Sequence, residues 1–230
     1  VYRARQHGEA ESTPPSLAVK IVDLDKHPAP DMAMREVEVM STLQHPALVA
    51  YKSHFVTSSK KLVVVMELGT SALTEARPED ILPLLVDVAW GMRHLHSRRR
   101  AVIHRDLKPD NIFLFKSPAG DFPIAKIGDF GAAKVASGGG ALRAATQMCT
   151  PGFAAPEQRW TWPEFHGPVT LAADVFSFGQ LMGAAYVGLP PSSAKPPGHT
   201  YPEEDLVEAG MPRPLVDLYK ACVAVDPTAR

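Results

Sequence analysis

Residues 104–111 read His104-Arg105-Asp106-Leu107-Lys108-Pro109-Asp110-Asn111, and the rest of the chain can be read outward from them. Upstream, Ile81, Leu84, Leu85, Val88, Met92 and Leu95 recur at helical spacing, which predicts a long amphipathic helix. Asp80 is expected to cap it, with Pro83 in the first turn, where a missing N–H is harmless. Downstream, residues 111–115 and 124–127 are strand candidates on either side of a Pro/Gly turn. The octet thus joins a helix to a strand, and taken alone it reads as a polar turn.

Further upstream the texture is that of strands around one helix. Residues 1–6 and 17–24 are short strand candidates separated by a polar, Pro-containing stretch. A helix is expected from Asp31, a good N-cap, with Val37, Met40 and Leu43 on one face. Strands over 48–56 and 62–66 follow. After Gly69 the pattern turns helical. Residues 170–187 are apolar nearly all round and predict a buried helix. Residues 136–145 have too little apolar content to fold alone, and the Pro-rich stretch 189–202 reads as an exposed loop. There is no internal repeat. The fold class predicted is α+β and bilobal: a small β-rich lobe over residues 1–68 with one helix, then a larger, mainly helical lobe over 69–230.

Composition narrows the function classes. The 230 residues are 45% hydrophobic and 21% charged, ordinary for a globular protein, and the net charge of −1 gives no broad field for nucleic acid or an anionic membrane. Arg98-Arg99-Arg100 reads as a solvated helix end. The two cysteines, Cys149 and Cys222, are far apart and make no disulfide framework, which fits a reducing, intracellular and cytoplasmic setting. No apolar run approaches the ~20 residues needed to span a bilayer. The chain starts at Val1 without a methionine and is expected to be an excerpt, any targeting segment lying outside it.

Phosphoryl transfer needs a cation for nucleotide phosphates, oxygen ligands for a metal, and a carboxylate that orients the accepting hydroxyl. The chain offers each. Leu17-Ala18-Val19-Lys20 resembles the Val-Ala-Ile-Lys strand of protein kinases, and residues 104–111 match the catalytic loop of that family without a substitution. Asp129-Phe130-Gly131, 18 residues after Asn111, resembles its metal-binding motif, and Ala155-Pro156-Glu157 the end of its activation segment. Asp174-Val175-Phe176-Ser177-Phe178-Gly179 is similar to the start of its buried central helix. The resemblance extends over essentially the whole chain, except that the Gly-rich phosphate-covering loop is absent and Val1 stands where that loop closes.

What the resemblance implies is specific. ATP and Mg²⁺ are the expected cofactors and a protein Ser/Thr hydroxyl the expected acceptor, with no nucleic-acid partner and no membrane segment. The expected catalytic residues are Asp106, which orients the hydroxyl, with Lys108 and Lys20 neutralising phosphate charge. Asn111 and Asp129 are the expected metal ligands. Val1, Ala18, Lys20, Glu36, Met66, Glu67, Gly69 and Phe113 are expected around the nucleotide, Met66 as gatekeeper and the Glu67 carbonyl and Gly69 amide facing adenine. Glu36 is preferred to Glu38 as the partner of Lys20, from its spacing to Leu43 and His45-Pro46. Glu157 is expected to pair with Arg230 of Asp226-Pro227-Thr228-Ala229-Arg230, and Met40, Tyr51, His104 and Phe130 to stack as a hydrophobic column.

Lys108 and Thr150-Pro151-Gly152-Phe153 point to the Ser/Thr type, with Thr150 touching Asp106 and Lys108. Arg105 before the catalytic aspartate implies control by phosphorylation of the activation segment, with Ser137 and Thr146 as acceptors. The alternative is a pseudokinase scaffold that binds partners without catalysis. It is disfavoured because Lys20, Asp106, Asn111 and Asp129 are all present.

Overall fold

A computed structural model of the chain describes residues 1–5, 16–117, 120, 122–136, 149–158, 168–188 and 200–230. The alternating and β-branched stretches at the start pair as an antiparallel sheet. Strands β1 (Tyr2–Ala4), β2 (Leu17–Asp23), β3 (Tyr51–Val56) and β4 (Lys61–Glu67) lie in the order β1-β2-β4-β3. Register places Ala18 opposite Met66 and Lys20 opposite Val64. Because side chains alternate along a strand, Ala18 and Lys20 share one face with Met66.

Helix α1 (Pro30–Ser41) packs across this sheet, burying Ala33 and Val37 against Leu62 and Val64. It begins one residue before the expected cap. Ala29 is its N-cap with no side-chain hydrogen bond, and Pro30 occupies the first turn, where its fixed φ suits the helix. Asp31 sits inside that turn and acts on the helix dipole instead.

Helix α2 (Ile81–Ser97) follows the strand pair β5 (Ser71–Ala72) and two 3₁₀ turns, and buries Leu84, Leu85, Val88, Met92 and Leu95. Asp80 does not cap it. Its carboxylate is taken by Arg77, at 2.8 Å from Nε and 3.1 Å from Nη2, and the helix grows directly out of the 3₁₀ turn Pro78–Asp80. Strand β6 (Val102–Ile103) pairs with β9 (Lys134–Val135), while β7 (Ile112–Lys116) lies between β5 and β8 (Pro123–Ile127). The first sheet is tied to this second group by the segment around Leu48: Val49 N–H donates to Ile127 O at 2.8 Å and Ile127 N–H to Ala47 O at 2.9 Å.

Helix α3 (Ala172–Val187) is buried along most of its length, as its all-round apolarity requires. Two helices for which the sequence reading had no element, α4 (Glu203–Glu208) and α5 (Arg213–Cys222), close over it. Tyr201, at the end of the stretch read as an exposed loop, is buried because its ring packs on α3; residues 189–199 lie outside the described residues. The continuous core runs from Met40 and Phe130 through α2 to α3 and α5. No helix among the described residues is long and apolar enough to cross a membrane.

Phe176 is 1% exposed in this core, whereas Leu82 on α2 is 43% exposed. Phe176→Ala is therefore expected to cost about 3–5 kcal/mol and Leu82→Ala less than about 1 kcal/mol, read from midpoints of denaturant unfolding.

Candidate functional site

Three segments bring their charged side chains into one cleft. From β2, the Lys20 ammonium lies 2.7 Å from Glu36 Oε1 on α1 and 3.1 Å from Asp129 Oδ1 just after β8. Glu36, not Glu38, is thus the partner. Burial alone would lower the Lys20 pKa, but the two carboxylates, Glu36 foremost, hold it above its usual value. For Asp129 burial acts upward, and the charge and hydrogen bond of Lys20 outweigh it, keeping the carboxyl below the usual range.

The octet forms the opposite wall. Asp106 Oδ1 accepts from the Thr150 amide at 2.9 Å and the Thr150 hydroxyl at 2.7 Å. Lys108 Nζ donates to Thr150 Oγ1 at 2.8 Å and stands 3.0 Å from Asp106 Oδ2. Asn111 Nδ2 donates to the Asp106 carbonyl at 2.8 Å and to Oδ2 at 3.1 Å. The Gly128 amide in turn donates to Asn111 O at 2.9 Å, which keeps Asp129 beside Asn111.

The backbone here is strained where it must turn. Arg105 and Asp129 have φ of 72° and 54°, left-handed values that non-glycine residues adopt rarely. The Arg105 turn is held by Asp174, fully buried on α3, whose Oδ2 and Oδ1 accept from the amides of His104 and Arg105, both at 2.8 Å. His96 Nε2 lies 2.8 Å from the same Oδ2. The His104 ring meets Phe130 edge-on at 5.2 Å, and its Nε2 lies 3.0 Å from Gly128 O. Met40 and Phe130 belong to one buried cluster against which Tyr51 packs.

The residues expected from the sequence around the nucleotide, the metal and the acceptor hydroxyl fall in this region. Val1, Ala18, Lys20, Glu36, Met66, Glu67, Gly69, Phe113 and Asp129 line one cavity of about 400 Å³. A second cleft of about 660 Å³ shares Lys20, Glu36 and Asp129 and extends to Asp106, Cys149 and Thr150. The Glu67 carboxylate turns away from the expected adenine contact, to Lys126 Nζ at 2.8 Å from each oxygen and to the Ala50 amide at 2.6 Å. Arg230 pairs with Glu157 through two bonds of 2.8 and 2.9 Å, a bidentate geometry that suits a buried pair. Ser137 and Thr146 lie outside the described residues.

Sequence reading missed the roles of Asp174, His96 and Lys126. A carboxylate inside an otherwise apolar helix was the available signal, because a buried charge needs partners.

The donors fit a nucleotide with a hard cation. Asp129 and Asn111 offer oxygen, and Asn111 spends its NH₂ on Asp106, leaving the amide oxygen as its remaining acceptor. Magnesium takes one or two protein oxygens and completes its shell with phosphate and water. Among the described residues no three His, Cys, Asp or Glu side chains are grouped to hold a metal by themselves.

The protein kinase domain family model matches residues 1–230, and the chain belongs to that family. It is 31% identical to the EPD1-interacting receptor-like cytoplasmic serine/threonine-protein kinase of Nicotiana benthamiana, over 92% of this chain and 45% of that protein. It is 30% identical to the probable serine/threonine-protein kinase PBL22 of Arabidopsis thaliana, over 93% of the chain and 56% of the relative. It is also 32% identical, over 73% of the chain and 27% of the relative, to the inactive serine/threonine-protein kinase PLK5 of Mus musculus. The chain spans about half or less of the length of these relatives.

Burial pushes the Asp174 carboxyl up, but the His96 hydrogen bond, the fields of His96 and His104 and the Arg105 amide pull it below its usual value. A group depressed in the folded state contributes stability above its unfolded pKa and loses it as pH falls through the folded one. Asp174→Asn is expected to cost about 3 kcal/mol or more at pH 7. The gap from wild type should narrow below about pH 4, measured by denaturant unfolding across pH.

Proposed function

We propose that this domain transfers the γ-phosphoryl group of ATP to Ser or Thr hydroxyls of protein substrates. The observation that carries this is the convergence of Asp106, Lys108, Asn111 and Thr150 on one side of a cleft whose other side holds the Lys20–Glu36 and Lys20–Asp129 pairs. In this reading the 400 Å³ cavity takes the nucleoside, with Ala18 and Met66 against the base. Lys20, fixed by Glu36, meets the phosphates as a preorganised cation. Asp129 and Asn111 hold magnesium, which would neutralise charge on the phosphate oxygens.

Asp106 is the group that accepts a hydrogen bond from the substrate hydroxyl and orients its lone pair toward the phosphorus. Its Oδ1 is already seated by two donors from Thr150, so little reorganisation remains at the moment of reaction. Lys108, bonded to the same threonine, stands ready to offset charge on the migrating group. The Lys108–Thr150 contact and the likeness to the serine/threonine kinases above support a hydroxyl of Ser or Thr as acceptor.

Regulation by a phosphate on the activation segment belongs to this proposal. Burial first, and then the positive charges of Arg105 and Arg35, depress the Lys134 amine, so each guanidinium repels that ammonium. An anion placed among them would relieve that repulsion and order the segment.

The scaffold reading is tested by the same experiment. Transfer of γ-phosphate to a protein substrate by the full-length protein is expected, and Asp106→Asn should lower the rate by on the order of 10²–10⁴. Equal incorporation by both proteins would overturn the role given to Asp106. ATP–magnesium binding without transfer would favour the scaffold. Mass spectrometry of the active protein should find phosphate between residues 134 and 157; an unmodified segment in active protein would remove the regulatory part.

A further inference from the structure

Helix α3 carries buried polar residues at Asp174, Ser177 and Gln180, spaced three apart. Asp174 holds the turn before Asp106. Ser177 Oγ donates to the Phe153 carbonyl at 2.9 Å. Gln180, fully buried, has no part in the chemistry described so far, although a leucine would fill a similar volume at less desolvation cost. Its Nε2 donates to the Gly152 carbonyl at 3.1 Å, and its Oε1 accepts from the Tyr219 hydroxyl at 3.3 Å. That hydroxyl accepts the Tyr201 amide proton at 2.5 Å. A hydrogen-bonded series therefore runs from Tyr201, just before α4, through Tyr219 on α5 and Gln180 on α3, to the loop of residues 150–153.

Close packing makes the series possible. A Cβ at Gly179 would lie 2.7 Å from Val223 and 2.8 Å from Cys222, and one at Gly183 would run into the Tyr201 ring. Glycine at both positions lets α5 and Tyr201 approach α3 closely enough for these short side chains to meet. Burial drives the Tyr219 phenol well above its ordinary pKa, so it stays a donor across all working pH values.

The far end of the series matters because of what the loop touches. Thr150 bonds Asp106, Pro151 is exposed, and Gly152 and Phe153 are buried beneath them. Because Thr150 lies directly on Asp106, a peptide that presents its hydroxyl to Asp106 would meet this loop. None of residues 150–153 lines the cavity that holds Ala18, Met66 and Phe113. We infer that Gln180 is a positioning residue for the protein acceptor: it fixes the Gly152 carbonyl, and with it the surface on which the residues flanking the acceptor hydroxyl rest. This inference rests on the kinase reading above.

The test uses the full-length protein with Gln180→Leu, Gln180→Met and Tyr219→Phe. Losing one such hydrogen bond is expected to raise KM for a peptide acceptor about three- to tenfold in the Gln180 variants, and less in Tyr219→Phe, which keeps the bond to Gly152. KM for ATP should stay within error of wild type, and amide hydrogen exchange at Phe153 and Ala154 should quicken while exchange in β2 and β4 does not. A merely structural role would shift both KM values together or change only thermal stability, and either result overturns the inference. Unchanged exchange at Phe153 and Ala154 in folded Gln180→Leu or Gln180→Met also overturns it, whether or not the wild type transfers phosphate. No transfer by the wild type, with loop exchange quickened in the variants, would instead count against the kinase reading.

Discussion

The site depends first on one buried carboxylate. Asp174 is the one charged residue of α3 and is fully buried, where an uncompensated charge would cost several kcal/mol. It is tolerated because the amides of His104 and Arg105 both point at it, and they can do so only while Arg105 keeps its left-handed φ. Desolvation and backbone strain thus hold each other in place: straightening Arg105 would orphan the charge, and removing the charge would free the turn. Asp106 is the next residue, so its direction into the cleft is set by the core of the larger lobe, not by the loop's own preferences.

From that point the register spreads. His104 packs on Phe130 and reaches Gly128 O, and the Gly128 amide reaches back to Asn111. The two polar segments around Asp106 and Asp129 are therefore locked together independently of the first sheet. The sheet joins through Lys20, which meets Glu36 inside the cleft and the half-exposed Asp129 at its mouth. Such ion pairs contribute little net stability, but they define one arrangement among several that apolar contacts would allow. Here they fix where β2 and α1 stand relative to the segment after β8.

Much of this was legible in the residues. Strands with β-branched runs, the periodic helix at 81–97 and the buried helix at 172–187 form because their patterns allow little else. Glu36 was separable from Glu38 by its spacing to Leu43 and His45-Pro46, and it is Glu36 that meets Lys20. Caps were less legible. Asp31 and Asp80 are good capping residues, yet Pro30 suits the first turn better and Arg77 competes for the Asp80 carboxylate, and neither competition shows in the local pattern. Helices α4 and α5 are short and owe their place to packing on α3, which a window of sequence does not contain. Nor could Asp174 be assigned its partners, since they lie about 70 residues earlier in the chain.

Asp174, Ser177 and Gln180 together say what α3 is for. At 100° per residue a step of three falls 60° short of a full turn, so the three side chains climb one winding stripe of the helix. Each reaches loop backbone: the amides of His104 and Arg105, the carbonyl of Phe153, the carbonyl of Gly152. Bonds to backbone fix a loop whatever side chains it carries, so the loops that face the cleft can vary in sequence while their course stays set. The helix thus holds the segment of residues 104–111 at one end and the loop of residues 150–153 at the other. The six residues from Asp174 to Gln180 rise about 9 Å along the helix, and that length of buried, close-packed helix sets the spacing between the two loops.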